Sequence, residues 1–364
     1  MGIADQLSTH FQGASKKDWL AVAKSETDQA NPLDSLAWNT SDKLPFAPYY
    51  DADDISSLGY LQKFHFQDAS QEYVPSRDWQ NLARVGVANE HQANEQALHH
   101  LKHGADGIFF VLTTASVNFV TLLKGIEWPY CTVSFLVPDH FSFESLSQYI
   151  IEKKYTRLNG AIFKHTATSQ EVSWYETHGI RSSGIIVRSS SPTDEIAYAL
   201  TEGVRQIDHA QKNSVEDTLR SVAFSIPASG DFLLTASKIK ALRLLWYQVS
   251  QAYRIVNFSP ADLHIHTRTE AWAEDKFQPH GNMLKSTIAT MAAVAGGCNA
   301  HTVYAEQESD SMQNRIARNT SLILKEESHF TKVADPLAGS YVIENMVHEL
   351  SKTAWAKFQH QISL

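Results

Sequence analysis

Cysteine is scarce in this sequence: two residues in 364, Cys131 and Cys298. That excludes a disulfide-built scaffold and a four-cysteine zinc site. Each sits in an apolar stretch, as a reduced, packed thiol does. Basic charge is also in short supply. Lys and Arg total 31 against 40 Asp and Glu, a net charge of −9. A general nucleic-acid binder needs a basic face that releases counterions, so that class is set aside. A local basic site for an anionic ligand stays open. No apolar run reaches the roughly 18 residues of a membrane span, and residues 1–15 show no basic segment followed by an apolar one, so neither a membrane partner nor a secretory signal is read. Cytoplasm is the expected location. GxGxxG after a strand, GxxxxGK[ST] and GxSxG are all missing, which removes the usual support for dinucleotide, P-loop and α/β-hydrolase readings.

What is present is enough apolar residue, 43% of the chain, to build a sizeable core and exclude global disorder. Length alone allows two or three average domains, or one large α/β barrel with an arm. Ser15 with Asp18 three residues on reads as a variant capping box that opens a helix running to about Lys24. The stretch 31–57 holds Pro32, Pro45, Pro48, two Tyr and several Asp, and reads as an extended arm. Residues 1–75 are thus assigned to helix and arm, and 76–364 to the main domain.

From Trp79 short apolar runs alternate with amphipathic segments. The runs predict strands at 80–87, 107–112, 132–137, 160–164, 184–188, 221–226, 263–267 and 302–305. Helices are expected at 90–103, 142–153, 192–211, 232–254, 282–295 and 310–325, with weaker signals at 115–124 and 169–178. Residues 214–218 read as a link, and 342–358 as a closing helix. Eight strand–helix units with near-continuous apolar strands predict a parallel sheet closed into a (β/α)8 TIM barrel with an extended N-terminal arm. An open doubly wound sheet is the rival.

Several residues invite functional readings. His99 and His103 share a helix face, but no Glu follows His99 in the HExxH manner, and solvent-exposed histidines account for the cluster. His264 and His266 alternate on a strand, so one face carries both, and a barrel interior or strand end suits a ligand or an acid there. In Lys238-Ile-Lys-Ala-Leu-Arg-Leu-Leu-Trp246, Leu242, Leu245 and Trp246 face a core, and the basic residues are expected in solvent. The charges of 315–329 fit a solvated face, an interface or an ion-pair network.

Two blocks carry a resemblance: Arg315-Ile-Ala-Arg-Asn-Thr-Ser-Leu-Ile-Leu-Lys-Glu-Glu-Ser-His329 and Val333-Ala-Asp-Pro-Leu-Ala-Gly-Ser-Tyr-Val-Ile-Glu344. With Ser15-Lys-Lys-Asp-Trp-Leu20, Lys238 to Trp246, His266-Thr-Arg-Thr-Glu-Ala-Trp272 and Met291-Ala-Ala-Val-Ala-Gly-Gly297 in the same order, the chain resembles the adenosylcobalamin-dependent acyl-CoA mutases, methylmalonyl-CoA mutase most of all. The resemblance runs from about residue 13 to 358. It implies a barrel that threads the substrate's CoA chain along its axis and a further domain whose Asp-x-His-x-x-Gly histidine ligates cobalt.

That motif does not occur in the 364 residues, which stop just past the closing helix. Other departures touch the active pattern. Its first-strand Tyr has no counterpart in Asn81-Leu-Ala-Arg-Val-Gly86. Its Ser-Gly-Tyr-His is replaced by Val187-Arg-Ser-Ser-Ser191, and its Thr-Gly-Thr-Ile-Gln segment is not recognisable near 160–168. In its His-x-Gln-Thr-Ser-Gly-Trp, His266, Thr269 and Trp272 remain, while Arg268 and Glu270 stand for the Gln and the Ser.

The resemblance therefore implies a small, non-catalytic mutase subunit that binds no cofactor itself and pairs with a large catalytic subunit carrying adenosylcobalamin. The alternatives are the catalytic barrel of a split acyl-CoA mutase and a CoA-binding module. No catalytic or metal-binding residue is assigned. His266, Arg268, Lys238 and Arg188 are the vestigial barrel-mouth candidates, expected to seal the site by ion pairs. Bulky strands at 107–112 and 132–137 predict a filled axis. The arm 33–60 is expected either to wrap the partner or to strap its own barrel.

Overall fold

The structure, a computed structural model, describes residues 15–62, 76–270 and 281–363, apart from 29, 157, 167, 169–170, 172–173, 175–179, 189 and 211–213. Eight parallel strands form a closed barrel: β1 (Gln80–Val87), β2 (Gly107–Leu112), β3 (Thr132–Leu136), β4 (Leu158–Lys164), β5 (Ile180–Ile186), β6 (Val222–Ala228), β7 (His264–Thr269) and β8 (Ala300–Thr302). β8 closes the ring by pairing with β7 on one side and with β1 on the other. A helix, α1 (Lys16–Thr27), precedes the barrel. Around it lie α2 (Glu90–Lys102), α3 (Glu144–Lys153), α4 (Pro192–His209), α5 (Phe232–Ala252), α6 (Gly281–Gly296), α7 (Ser311–Glu326) and the closing α8 (Tyr341–Ile362). The expected TIM barrel is the observed fold, and the open sheet is excluded by the β8–β1 pairing.

Helix starts follow local chemistry. Ser15 and Asp18 form a full capping box on α1. Ser191 caps α4, with Pro192 in its first turn and Asp194 and Glu195 against the positive end of its dipole. Three expectations change. Residues 214–218 are no bare link: Ser214 caps a two-turn helix, Val215–Ser221. The 115–124 signal shrinks to Phe119–Leu122, and 169–178 falls largely outside the described residues. β8 lies earlier than 302–305, because its polar His301 and Thr302 concealed a strand whose partners run out at Arg268.

Alternation on the strands separates two cores. Outward residues such as Ile108, Phe110, Val133, Phe135, Phe224 and Ile265 pack under the helices. Inward residues Leu82, Phe109, Ala161, Phe163, Ile186, Ala223 and Ala300 fill the barrel. Two glycines make room for rings. A Cβ at Gly184 would stand 2.4 Å from the Phe163 ring, and one at Gly203 on α4 would stand 2.5 Å from Trp246 of α5.

The arm lies on its own barrel. Tyr60 Oη donates to the Glu344 carbonyl on α8, Asp42 accepts the Thr193 N–H at the start of α4, and Leu44 and Tyr60 pack on the helical core. Strapping is thus observed, while Leu36 and Trp38 of the arm stay exposed.

Overpacking a full site strains it, so Gly203→Ala should lower the unfolding free energy by about 1–3 kcal/mol, read from the urea midpoint. Trimming Trp246 to Phe in the same chain should recover part of the loss.

Candidate functional site at the barrel mouth

The barrel axis is occupied by three rings. His266 on β7 lies 4.8 Å from the Phe109 ring and 5.4 Å from that of Phe163, and all three are fully buried. The imidazole sits in a directed chain of hydrogen bonds. Arg268 Nη1 donates to Ser225 Oγ at 3.0 Å and to the Ser225 carbonyl at 2.8 Å. Ser225 Oγ, having accepted, donates to His266 Nδ1 at 2.8 Å. His266 Nε2 then donates to Thr302 Oγ1 at 2.9 Å. Burial first, and the nearby Arg268 charge second, hold His266 neutral, well below the ordinary imidazole range. Both ring nitrogens are engaged inside the chain.

At the C-terminal ends of the strands the remaining candidates are also engaged. Lys238 Nζ, on α5, pairs with Glu195 of α4 at 2.5 Å and donates to the Pro227 carbonyl at 2.8 Å. Lys238 and Glu195 are both buried. Desolvation dominates at Glu195 and pushes its carboxyl up, against the pull of Lys238. Arg268 also donates to the Val187 carbonyl. The exposed Arg188 lies 3.5 Å from His165 Nε2, whose Nδ1 faces the Ile186 carbonyl at 3.1 Å. Burial and Arg188 lower the His165 pKa.

The expectation of ion-paired seals thus holds for Lys238. Arg268 instead meets carbonyls and a hydroxyl, because no carboxylate reaches its fork. His266, Arg268 and Lys238 converge on the β6 backbone and side chains, and Arg188 stands apart on β5's exit. Sequence reasoning missed Glu195, Ser225, Thr302 and Arg84. Arg84 sits in the segment where the resemblance places a Tyr; it covers the Tyr304 ring at 4.7 Å and pairs with Glu308. The acid in the first turn of α4 was the one available signal for Glu195.

Three further readings are corrected. His100 is not solvent-exposed: it is buried, and Arg318 donates to its Nδ1 at 3.3 Å. The basic residues of α5 are not solvated. Lys240 pairs with Asp335 at 2.7 Å, and Arg243 donates to the carbonyls of Pro260, Leu263 and Gly297. Of the three choices left open for 315–329, Arg318 belongs to a buried polar network. Among the described residues no group of three His, Cys, Asp or Glu is placed for a metal. Trp272 lies outside the described residues. At the opposite, N-terminal end of the barrel a polar cavity of about 660 Å3 is lined by Gln80, Thr132, Asn159, Arg220, His264 and Asn299.

Removing one member of a buried pair strands the other charge. Lys238→Met should cost about 3–5 kcal/mol in urea unfolding, and adding Glu195→Leu should restore most of it. Buried neutral histidines also set a pH dependence. Burial lowers His100 to about 4 and His301 to about 3 from 6.5. The unfolded chain therefore takes up protons first, so stability is full above about pH 6.5 and falls as pH drops toward 4. The urea midpoint of His301→Asn, lower overall, should fall less steeply over that window.

Comparison with known proteins places these features. Residues 144–363 match the family model described as methylmalonyl-CoA mutase. The chain is 26% identical over 397 residues to the methylmalonyl-CoA mutase small subunit of Porphyromonas gingivalis, covering 97% of this chain and 64% of that protein. It is 24% identical to methylmalonyl-CoA mutase of Rhizobium meliloti, over 93% of this chain and 57% of that one. A methylmalonyl-CoA mutase small subunit from Streptomyces virginiae is 33% identical over 176 residues, 47% of this chain and 28% of that protein. The chain spans 57–64% of the first two relatives' lengths.

Proposed function

The chain belongs to the methylmalonyl-CoA mutase family, and we propose that it serves there as a small, non-catalytic subunit paired with a large catalytic one. The assembly would interconvert methylmalonyl-CoA and succinyl-CoA. One observation carries this reading: Phe109, Phe163 and His266 fill the axis along which the family threads its substrate. A thioester carbonyl there would need an unengaged donor and space beside it. His266 gives both nitrogens to Ser225 and Thr302, and Arg268 and Lys238 give theirs to this chain's own acceptors.

Adenosylcobalamin supplies radical chemistry where it is bound. The mouth does not fit it, since its polar groups are bonded to one another, and the reading assigns the cofactor to the partner subunit. Arg188 and Arg84, in the segments where the resemblance expects the active His and Tyr, fit a role in closing the mouth.

Co-expression with a large mutase subunit, followed by size-exclusion chromatography and assay, tests the reading. The expected result is a stoichiometric heterodimer that turns over acyl-CoA, and no turnover by this chain alone with adenosylcobalamin. Failure to associate, with no effect on the large subunit's stability or rate, overturns it. Turnover after adding only a separate cobalamin-binding subunit would establish the split-mutase alternative.

A further inference from the structure

Between α6, α7 and the C-terminal ends of β7 and β8 lies a cavity of about 310 Å3, away from the barrel axis. Small-molecule sites occupy roughly 300–1,000 Å3, and most have apolar walls with a few converging polar groups. Here Met283, Met312 and Ile316 supply apolar wall, and the thioethers of Met adapt to varied shapes. The charge of the lining has one sign. Glu270 and Glu306 are its charged residues, and neither belongs to an ion pair among the described residues.

Two acceptors in this lining lack donors. Asn282 is 8% exposed, and its Oδ1 receives no hydrogen bond; Glu270 Oε1 is buried and equally unpartnered. A buried acceptor without a donor destabilises the fold, and native chains rarely keep two together without a reason. A carboxylate is the costlier of the two to leave so. The missing complement is a cationic donor attached to apolar bulk.

We propose that this cavity binds a small organic ammonium ion with a compact apolar body. The ammonium bonds Glu270 Oε1 and Asn282 Oδ1, and the apolar body lies against Met283, Met312 and Ile316. The site is independent of the subunit reading, because it uses neither the axis nor the mouth chain.

Calorimetric titration of benzylamine, benzyl alcohol and benzoate into the whole protein near neutral pH tests it. Benzylamine should bind saturably, about tenfold or more tighter than the alcohol, and benzoate should not bind, since charge-assisted hydrogen bonds are the stronger kind. Glu270→Gln should weaken benzylamine by about tenfold, and Met312→Trp, at the exposed rim, should block it. Methionine-methyl NMR on the wild-type chain gives a second readout that needs no variant. Benzylamine should move the Met283 and Met312 signals and leave that of the fully buried Met346 in place. No saturable binding by the wild type, equal affinity for amine and alcohol, or unmoved Met283 and Met312 signals would each overturn the proposal.

Discussion

A closed eight-stranded barrel encloses a volume set by its strand number, and that volume must be filled by side chains or by a ligand. This chain fills it with Phe109, Phe163 and His266, and much else is a consequence. Phe163 reaches the centre because β5 offers Gly184 beneath it. An imidazole in a dry interior must stay neutral and hydrogen-bonded, so Ser225 and Thr302 flank it from the neighbouring strands. Ser225 can donate to the ring because Arg268 already serves its lone pair. The mouth residues are therefore extensions of the filling, and they are positioned by the strands that carry it.

A second layer of buried charge ties the helices to the barrel. α5 carries Lys238, Lys240 and Arg243 inward. Each meets a different element: α4, the loop before α8, and the turns before β7 and β8. Burial brings Arg243 down to about 10, yet four acceptors in fixed places hold its fork. Such contacts add less to net stability than apolar packing of equal volume, but they permit one arrangement of the helices over the sheet. Arg77 works in the same manner at the barrel's N-terminal side, donating to the carbonyls of Val294 and Ala334.

The fold was largely legible because its signals are local. The expected strands at 80–87 and 107–112 coincide with β1 and β2, since continuous apolar runs there end at turn residues. The family blocks pointed to the barrel and to His266, Arg268 and Lys238. What was not legible is pairing across the chain. Lys238 and Glu195 are 43 residues apart, Arg318 and His100 are 218 apart, and helical periodicity records neither. Periodicity assigns a charged side chain to solvent by default, and in α5 three partners reverse that default. β8 was misplaced for a related reason: its polar residues satisfy one another inside the sheet, so they carry no apolar signature.

The hydrogen-bonded ring at the centre gives the chain's history a direction. Returning to an open axis means shrinking Phe109 and Phe163 and removing His266, and no one of these steps opens a passage. Each step alone leaves a void or strands the hydroxyls of Ser225 and Thr302, so each lowers fitness of fold before any binding is regained. The filled barrel behaves as a ratchet: once its lineage closed the passage, single substitutions could refine the plug but not reopen it.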